Sequence, residues 1–118
     1  MTSRAFEDVE FWQLAHRWVI DIYKATDAFP KHEMFGLTSQ LRRAAVSVPA
    51  NFAEGFKKMG VPDKLRFYNI AQGSLEECRY YLILTRDLDY ADVSDLRDRT
   101  EQISKMLNAY MNGVSRKR

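Results

Sequence analysis

The residues of this chain with the clearest capacity for chemistry are basic. Arg42 and Arg43 are adjacent, and the other candidates lie in a short central stretch and at the C-terminus: Lys57, Lys58, Lys64, Arg66, Arg116, Lys117 and Arg118. Guanidinium and ammonium groups bind phosphate, so these residues are candidate nucleic-acid contacts. The alternative is that they belong to solvated helix faces and a frayed chain end. A net charge of +2 is too small to decide between the two.

The Arg42–Arg43 pair has two further interpretations. Neighbouring positions on a helix point about 100° apart, so one arginine can pair within the fold while the other faces solvent or a neighbouring subunit. Arg43 shares a polar line with Ser47 and Glu54, which predicts an ordered network at an interface. Direct phosphate contact remains the alternative for both side chains, and intersubunit salt bridges are a third possibility.

Residues for catalysis or metal binding are sparse. Cys78 falls on an apolar line, while His16 and His32 have no second nitrogen ligand nearby in the sequence. One cysteine and two isolated histidines cannot close a tetrahedral zinc site, and there is no Glu-x-x-His pair or glycine-rich phosphate loop. Glu76 and Glu77 diverge on a helix and are expected to pair with arginines such as Arg79. We therefore predict no catalytic residues, no metal, no cofactor and no enzymatic activity.

Apolar residues recur at spacings of three and four in four segments, which predicts four helices. The first runs from about Asp8 to Ala28, the second from about Thr38 to the glycines before Pro62, and the third from there to about Asp89. Asp92 or Ser94 caps the fourth, which is expected to end at Gly113. Short connections between long helices indicate an all-α, up-down-up-down antiparallel four-helix bundle. We predict one domain over residues 1–118, with a basic, flexible tail from about 114 to 118.

The apolar arcs of the first and third helices are wider than a monomeric bundle of this size requires, which predicts self-association. A proline inside the second helix, Pro49, interrupts the backbone hydrogen bonds without shifting the apolar pattern, so we expect it to shape packing. The candidates for an oligomer interface or a structural role are Trp12, His16, Pro49, Asn51 and Glu54.

Composition predicts a cytoplasmic protein with no membrane association. Hydrophobic residues make up 46% of the chain, without an apolar run long enough for a membrane span. The N-terminus lacks the pattern of a secretory signal, and a single cysteine cannot form an intramolecular disulfide.

The run GLTSQLRRAAVSVPANFAEGF, preceded by FEDVEFWQLAHRWVIDIYKATDAFP and followed by RFYNIAQGSLEE, resembles the four-helix bundle family encoded in intervening sequences of bacterial 23S ribosomal RNA genes. The resemblance implies an up-and-down bundle that forms homopentamers, without an enzymatic activity or a settled function. The family is also similar in fold to the accessory protein of diversity-generating retroelements, a pentamer that binds nucleic acid and a reverse transcriptase. In the loop after Gly55 the family carries a basic or serine-rich stretch, whereas this chain has the more hydrophobic FKKMGVPDK.

Two functions follow as expectations. The first is a cytoplasmic homo-oligomer, pentameric by resemblance, that binds RNA or DNA or acts as a scaffold. A ring would repeat a modest basic patch and add weak phosphate contacts through avidity. The second is a protein-protein adaptor that does not bind nucleic acid.

Overall fold

A computed structural model describes residues 5–117 of the chain. Over this range it forms four α-helices: α1 (Glu10–Thr26), α2 (Leu37–Lys57), α3 (Val61–Asp87) and α4 (Ser94–Ser115). Single turns of 3-10 helix, Phe6–Asp8 and Lys31–Glu33, precede α1 and α2. The described residues contain no β-strand. The predicted all-α class and the four helices are therefore confirmed.

Side-chain contacts show that neighbouring helices run antiparallel. Phe11 near the start of α1 packs against Phe52 near the end of α2, whereas Thr26 at the end of α1 contacts Arg42 near the start of α2. The other neighbouring helices show the same reversal. Between α3 and α2, Lys64 contacts Phe56 and Ser74 contacts Ser47. Between α3 and α4, Gln72 contacts Asn108 and Arg79 contacts Glu101, and Arg99 of α4 contacts Asp21 of α1. These contacts give the up-down-up-down arrangement.

The helix starts follow local capping chemistry. Pro62 lies in the first turn of α3, where its missing N–H removes no helical hydrogen bond. The Asp92 carboxylate accepts hydrogen bonds from the backbone N–H and the hydroxyl of Ser94, the first residue of α4. The N-cap position itself is occupied by Val93, so Asp92 satisfies the first N–H of α4 from one residue earlier, and Ser94 lies inside the helix. These bonds also lower the pKa of Asp92.

The end of α4 differs from the prediction. The helix passes through Gly113 and ends at Ser115, because Val114 is partly buried against the core. A glycine inside a helix costs only about 1 kcal/mol, which the packing of Val114 can offset. The segment predicted as a flexible tail therefore begins with two helical residues, and the turn at Arg116 and Lys117 follows them. Arg118 and residues 1–4 lie outside the described residues.

The core is centred on large side chains that are fully buried. Trp18 on α1 donates a hydrogen bond from Nε1 to Thr100 Oγ1 on α4, at 3.0 Å. Phe52 on α2 stacks on Tyr68 of α3, with ring centroids 5.1 Å apart, and Tyr110 of α4 meets Phe52 edge-on at the same separation. Aromatic side chains thus join three helices at one end of the bundle.

Gly55 permits the close approach of α2 and α3 at that end. A Cβ at this position would lie 2.6 Å from Tyr68 Cε1 and 3.1 Å from the carbonyl oxygen of Lys64. The buried Tyr68 ring and the backbone of α3 therefore leave no room for a side chain here. Pro49 is buried within the same helix, and α2 continues through it, as the unbroken apolar pattern predicts.

We predict that Gly55→Ala lowers the free energy of unfolding by about 1–3 kcal/mol, because overpacking outweighs the better helix propensity of alanine. Gly113→Ala is the matched control, since a Cβ there meets nothing within 4 Å. It should raise stability by up to about 1 kcal/mol. Urea unfolding followed by circular dichroism measures both, and equal effects of the two substitutions would contradict the packing argument.

Candidate functional surfaces

Arg42 connects the beginning of α2 to the end of α1. Its Nε donates to Thr26 Oγ1 at 2.7 Å, and its terminal nitrogen donates to the Tyr23 carbonyl at 3.2 Å and to Asp27 Oδ1 at 3.0 Å. The guanidinium also lies 4.6 Å from the centroid of the Tyr23 ring. A cation at the C-terminus of a helix is favoured by the partial negative charge of its last carbonyls. Most of the hydrogen-bonding capacity of Arg42 is therefore used within the fold.

Arg43 points away from these contacts and is exposed. It lines an open polar groove of about 270 Å³ between α2 and α3, together with Gln40, Ser47, Ser74, Glu77 and Tyr81 among others. Within residues 5–117 it forms neither a hydrogen bond nor an ion pair. The two arginines thus divide as the sequence predicts, one within the fold and one toward solvent.

The hydrogen bonds in the polar groove centre on Ser47. Its hydroxyl accepts hydrogen bonds from Asn51 Nδ2 and from Ser74 Oγ, both at 2.8 Å, and Asn51 also donates to the Ser47 carbonyl. Arg43 and Glu54, which the sequence predicts as members of this network, take no part in it within the described range. The network therefore joins α2 to α3 inside one chain.

The remaining basic candidates gather at the opposite end of the bundle. We call this the basic end, and among the described residues it contains Lys57, Lys58, Lys64, Arg66, Arg116 and Lys117. The connection between α2 and α3 reaches the end of α4 there, as the contacts of Tyr110 with Phe52 and Tyr68 show. Arg43 lies 14 residues before Lys57 on α2, which corresponds to about 21 Å along the helix. The sequence-predicted basic residues therefore form two groups.

Within the basic end, Lys64 has a structural role. Its Nζ donates to the carbonyls of Phe56, at 2.8 Å, and of Gly55, at 3.3 Å, which closes the C-terminus of α2. Partial burial lowers the pKa of Lys64. Lys58 and Arg66 both lie beside the Phe67 ring, at 5.2 and 4.5 Å from its centroid, and so are held close together by cation–π contacts.

Acidic side chains are also present at this end. Asp63 is 3.4 Å from Arg66, with both side chains more than half exposed, so the pair is weak. Glu7 and Asp8 lie in the turn before α1, which starts at the same end. Lys57, Arg116 and Lys117 are exposed and form no ion pair within residues 5–117.

A second surface is an apolar groove between α1 and α2, which we call the α1–α2 groove. It has a volume of about 350 Å³ and is lined by Phe6, Trp12, His16, Val19, Val46, Pro49, Ala50 and Ala53. The Trp12 and His16 rings stack at 4.9 Å with an interplanar angle of 9°, and Phe6 meets Trp12 edge-on. Three of the predicted interface residues, Trp12, His16 and Pro49, thus lie together. Asn51 and Glu54 lie outside this lining.

A third surface is not among the sites predicted from the sequence. Ile70, Gly73, Tyr80 and Leu88 are exposed along α3 and directly after it, and we call them the α3 stripe. Leu84, which lies between Tyr80 and Leu88, packs against the core. Ile70, Tyr80 and Leu88 are 44%, 59% and 45% exposed. The signal is present in the sequence, since α3 carries apolar residues on its outer side as well as on its core side.

The side chains considered for catalysis include a buried thiol and a carboxylate held in an ion pair. Cys78 is fully buried, and burial, followed by the nearby charge of Glu77, raises its pKa to about 12. Such a thiol is protonated at neutral pH. Within residues 5–117, no three or more His, Cys, Asp or Glu side chains are placed to hold a metal ion. Glu76 pairs with Arg79 as expected, and Arg79 also binds Glu101 through two hydrogen bonds.

Glu33 has a structural role at the end of the bundle opposite the basic end. Its carboxylate accepts a hydrogen bond from the Tyr90 hydroxyl at 2.8 Å and one from the backbone N–H of Leu37, which begins α2. These two bonds lower the pKa of Glu33. His32 lies beside the same tyrosine, 3.4 Å from its hydroxyl.

Comparison with known families matches residues 7–109 of this chain to the family model described as 23S rRNA-intervening sequence protein. The chain belongs to this family. The match extends from the turn before α1 into α4, so it includes the α3 stripe, the basic side chains of α2 and α3, and the lining of the α1–α2 groove apart from Phe6. It confirms the resemblance drawn from the sequence. A search of curated proteins finds no match to the chain. None of the helices described here combines the length and the apolar character that a membrane span requires.

We predict that Arg42→Ala lowers the free energy of unfolding by about 1–3 kcal/mol, because it removes charge-assisted hydrogen bonds that join α1 to α2. Arg43→Ala is the matched control and should change stability by less than about 0.5 kcal/mol, as expected of an exposed side chain that has no partner among residues 5–117. Thermal unfolding of both variants compares the two roles. A larger loss for Arg43→Ala would contradict the assignment.

Proposed function

We propose that this member of the 23S rRNA-intervening sequence protein family is a non-enzymatic homo-oligomer, pentameric as the sequence resemblance implies, that binds nucleic acid, RNA in particular, or serves as its scaffold. The observation that supports nucleic-acid binding is the convergence of Lys57, Lys58, Arg66, Arg116 and Lys117 at one end of the bundle. These cations come from the end of α2, the first turns of α3 and the residues directly after α4, and only the last group is distant in sequence from the other two. The cytoplasm is the compartment we propose, because the chain has one cysteine and its thiol is buried.

The chemistry of the basic end suits the recognition of backbone phosphates better than the recognition of bases. Ammonium groups on flexible stems act as point charges and set no strong geometric requirement, so they contact backbone phosphates irrespective of sequence. The partial burial of Lys64 and its hydrogen bonds to carbonyls leave it less suited to this role than Lys57. Arg42 is likewise engaged in the fold, which shifts the proposed contacts away from the Arg42–Arg43 pair and toward the basic end.

Oligomerisation would make weak phosphate contacts sufficient for nucleic-acid binding. The acidic residues Glu7, Asp8 and Asp63 reduce the potential of one basic end, so a single copy is expected to bind weakly. A ring that presents this end several times on one side would bind a flexible strand with higher avidity. Affinity should therefore depend on assembly as well as on charge.

The second candidate is a protein-protein adaptor. It is favoured by the connection between α1 and α2, where Phe35 is 91% exposed and the neighbouring Met34 is 54% exposed. Large apolar side chains at a loop tip are typical of residues that a protein partner covers. These residues lie away from the basic end, so the two functions can be tested separately.

Binding of a fluorescein-labelled single-stranded RNA, followed by anisotropy over a series of salt concentrations, tests the proposal. We expect affinity to fall steeply with salt, since each neutralised phosphate adds about 0.7 to the slope of log K against log salt for single strands. The variant Lys57→Glu/Lys58→Glu should weaken binding and reduce the slope by at least about 1.4.

The matched control is Lys31→Glu/Lys105→Glu, which changes the charge equally at two exposed lysines outside the basic end. It should retain most of the affinity. Equal losses in both variants would indicate a nonspecific charge effect and contradict the assigned surface. Absence of binding at low salt by an intact oligomer would contradict nucleic-acid binding and favour the adaptor.

A further inference from the structure

We propose that Arg66 and Phe67 form a stacking platform for an unpaired base, so that the nucleic acid bound by the basic end is single-stranded. This inference rests on the nucleic-acid binding of the proposed function and names the class of nucleic acid that the basic end prefers. It does not depend on how many copies an oligomer contains.

Phe67 is an aromatic side chain whose position core packing does not explain. It is partly buried, yet within residues 5–117 it does not pack against the buried core, whereas its neighbours Leu65 and Tyr68 do. The groups that lie over its ring are cations: the guanidinium carbon of Arg66 is 4.5 Å from the ring centroid, and Lys58 Nζ is 5.2 Å from it. The ring therefore supports charged side chains at the surface, which is where a ligand would meet them.

Arg66 has an accessible side on which a base can stack. Its side chain is 61% exposed, although its guanidinium lies over the Phe67 ring. The ion pair with Asp63, at 3.4 Å, is made by one terminal nitrogen. Because the N–H bonds of a guanidinium lie in its plane, this pair uses an edge of the group and leaves its faces for stacking. With the ring on one side of the guanidinium, the side away from the ring is available to a base.

Cations for the flanking phosphates lie close to this platform. Lys57 directly precedes Lys58, is exposed and forms no ion pair within residues 5–117. Arg116 and Lys117 are exposed directly after α4, at the same end of the bundle. A strand with one base stacked on Arg66 would therefore bring its neighbouring phosphates to these side chains.

The combination of a platform with phosphate contacts distinguishes single strands from duplexes. In a duplex both faces of an interior base are covered by its neighbours, so a protein meets mainly phosphates and groove edges. In a single strand the faces are available, and stacking adds affinity for every base, because every base has a π-face. Phosphate contacts alone would favour the duplex, since its charge density is higher. A preference for the single strand is therefore a sign of stacking.

Replacing Arg66 by lysine separates stacking from charge. Arg66→Lys keeps the positive charge and removes the planar group, and Arg43→Lys is the matched control at an exposed arginine outside the basic end. Phe67→Leu removes the ring that supports the guanidinium, and Phe67→Tyr retains it. Circular dichroism verifies that each variant folds.

Fluorescence anisotropy over a series of salt concentrations measures the affinity of each variant for three fluorescein-labelled probes. The first is an RNA strand of mixed sequence, and the second is the duplex of this strand with its complement. The third is a strand of the same length in which abasic sites replace the bases, so that it keeps the phosphates and cannot stack.

We expect the wild-type protein to bind the single strand more tightly than the duplex or the abasic strand. Arg66→Lys and Phe67→Leu should each weaken single-strand binding by at least about fivefold, the lower end of the effect of losing one stacked base. The slope of log K against log salt should not change, because both variants keep every charge. Neither variant should affect the abasic strand, and Arg43→Lys and Phe67→Tyr should retain the wild-type affinity.

Other outcomes overturn the inference. If the duplex binds as tightly as the single strand, or if Arg66→Lys leaves single-strand affinity unchanged, the basic end contacts phosphates alone. Equal losses for the single strand and the abasic strand would show that the two side chains do not act through stacking. Arg66→Lys alone decides the question if Phe67→Leu does not fold. These results leave salt-dependent binding in place, whereas absence of binding to all three probes at low salt would overturn the proposed function together with the platform.

Discussion

The close approach of α2 to α3 is the constraint on which the other features of the bundle depend. Gly55 has no side chain where Tyr68 and the Lys64 carbonyl press against α2, and the hydroxyls of Ser47 and Ser74 meet at 2.8 Å farther along the same pair. This packing fixes the rotation of α2 about its own axis. Val46, Pro49 and Ala50 then line the groove with α1. Ser47 accepts hydrogen bonds from Ser74 of α3 and from Asn51 of its own helix.

The same constraint explains why the basic residues have different roles. Arg42 lies on the side of α2 that faces α1, so its guanidinium reaches the last carbonyls of that helix. Arg43 is turned by one position and is exposed. Lys64 lies in the first turn of α3, so close to the end of α2 that its ammonium group caps the carbonyl of Phe56. Basic residues that look equivalent in the sequence thus divide into those that hold helices together and those that remain accessible to a partner.

The sequence predicted the helices well because each boundary depends on local signals. Pro62, Asp92 and the spacing of apolar residues act within a few positions, and the observed helices begin and end close to the predicted residues. The prediction that α4 ends at Gly113 was wrong, because the weak tendency of glycine to end a helix is overcome by the burial of Val114. Amphipathic spacing also predicted that Arg42 and Arg43 diverge. It could not predict that Arg42 binds Thr26, because partners on different helices depend on how those helices are rotated against each other.

The buried hydrogen bond between Trp18 and Thr100 restricts how far α1 can slide along α4. A shift of one helical turn, about 5.4 Å, would leave the indole N–H buried without its acceptor, which costs about 1–3 kcal/mol. Contacts between aliphatic side chains tolerate such a shift more readily, because they have no direction. The alignment of α1 with α4 is therefore selected by one directional interaction inside an otherwise mainly apolar core.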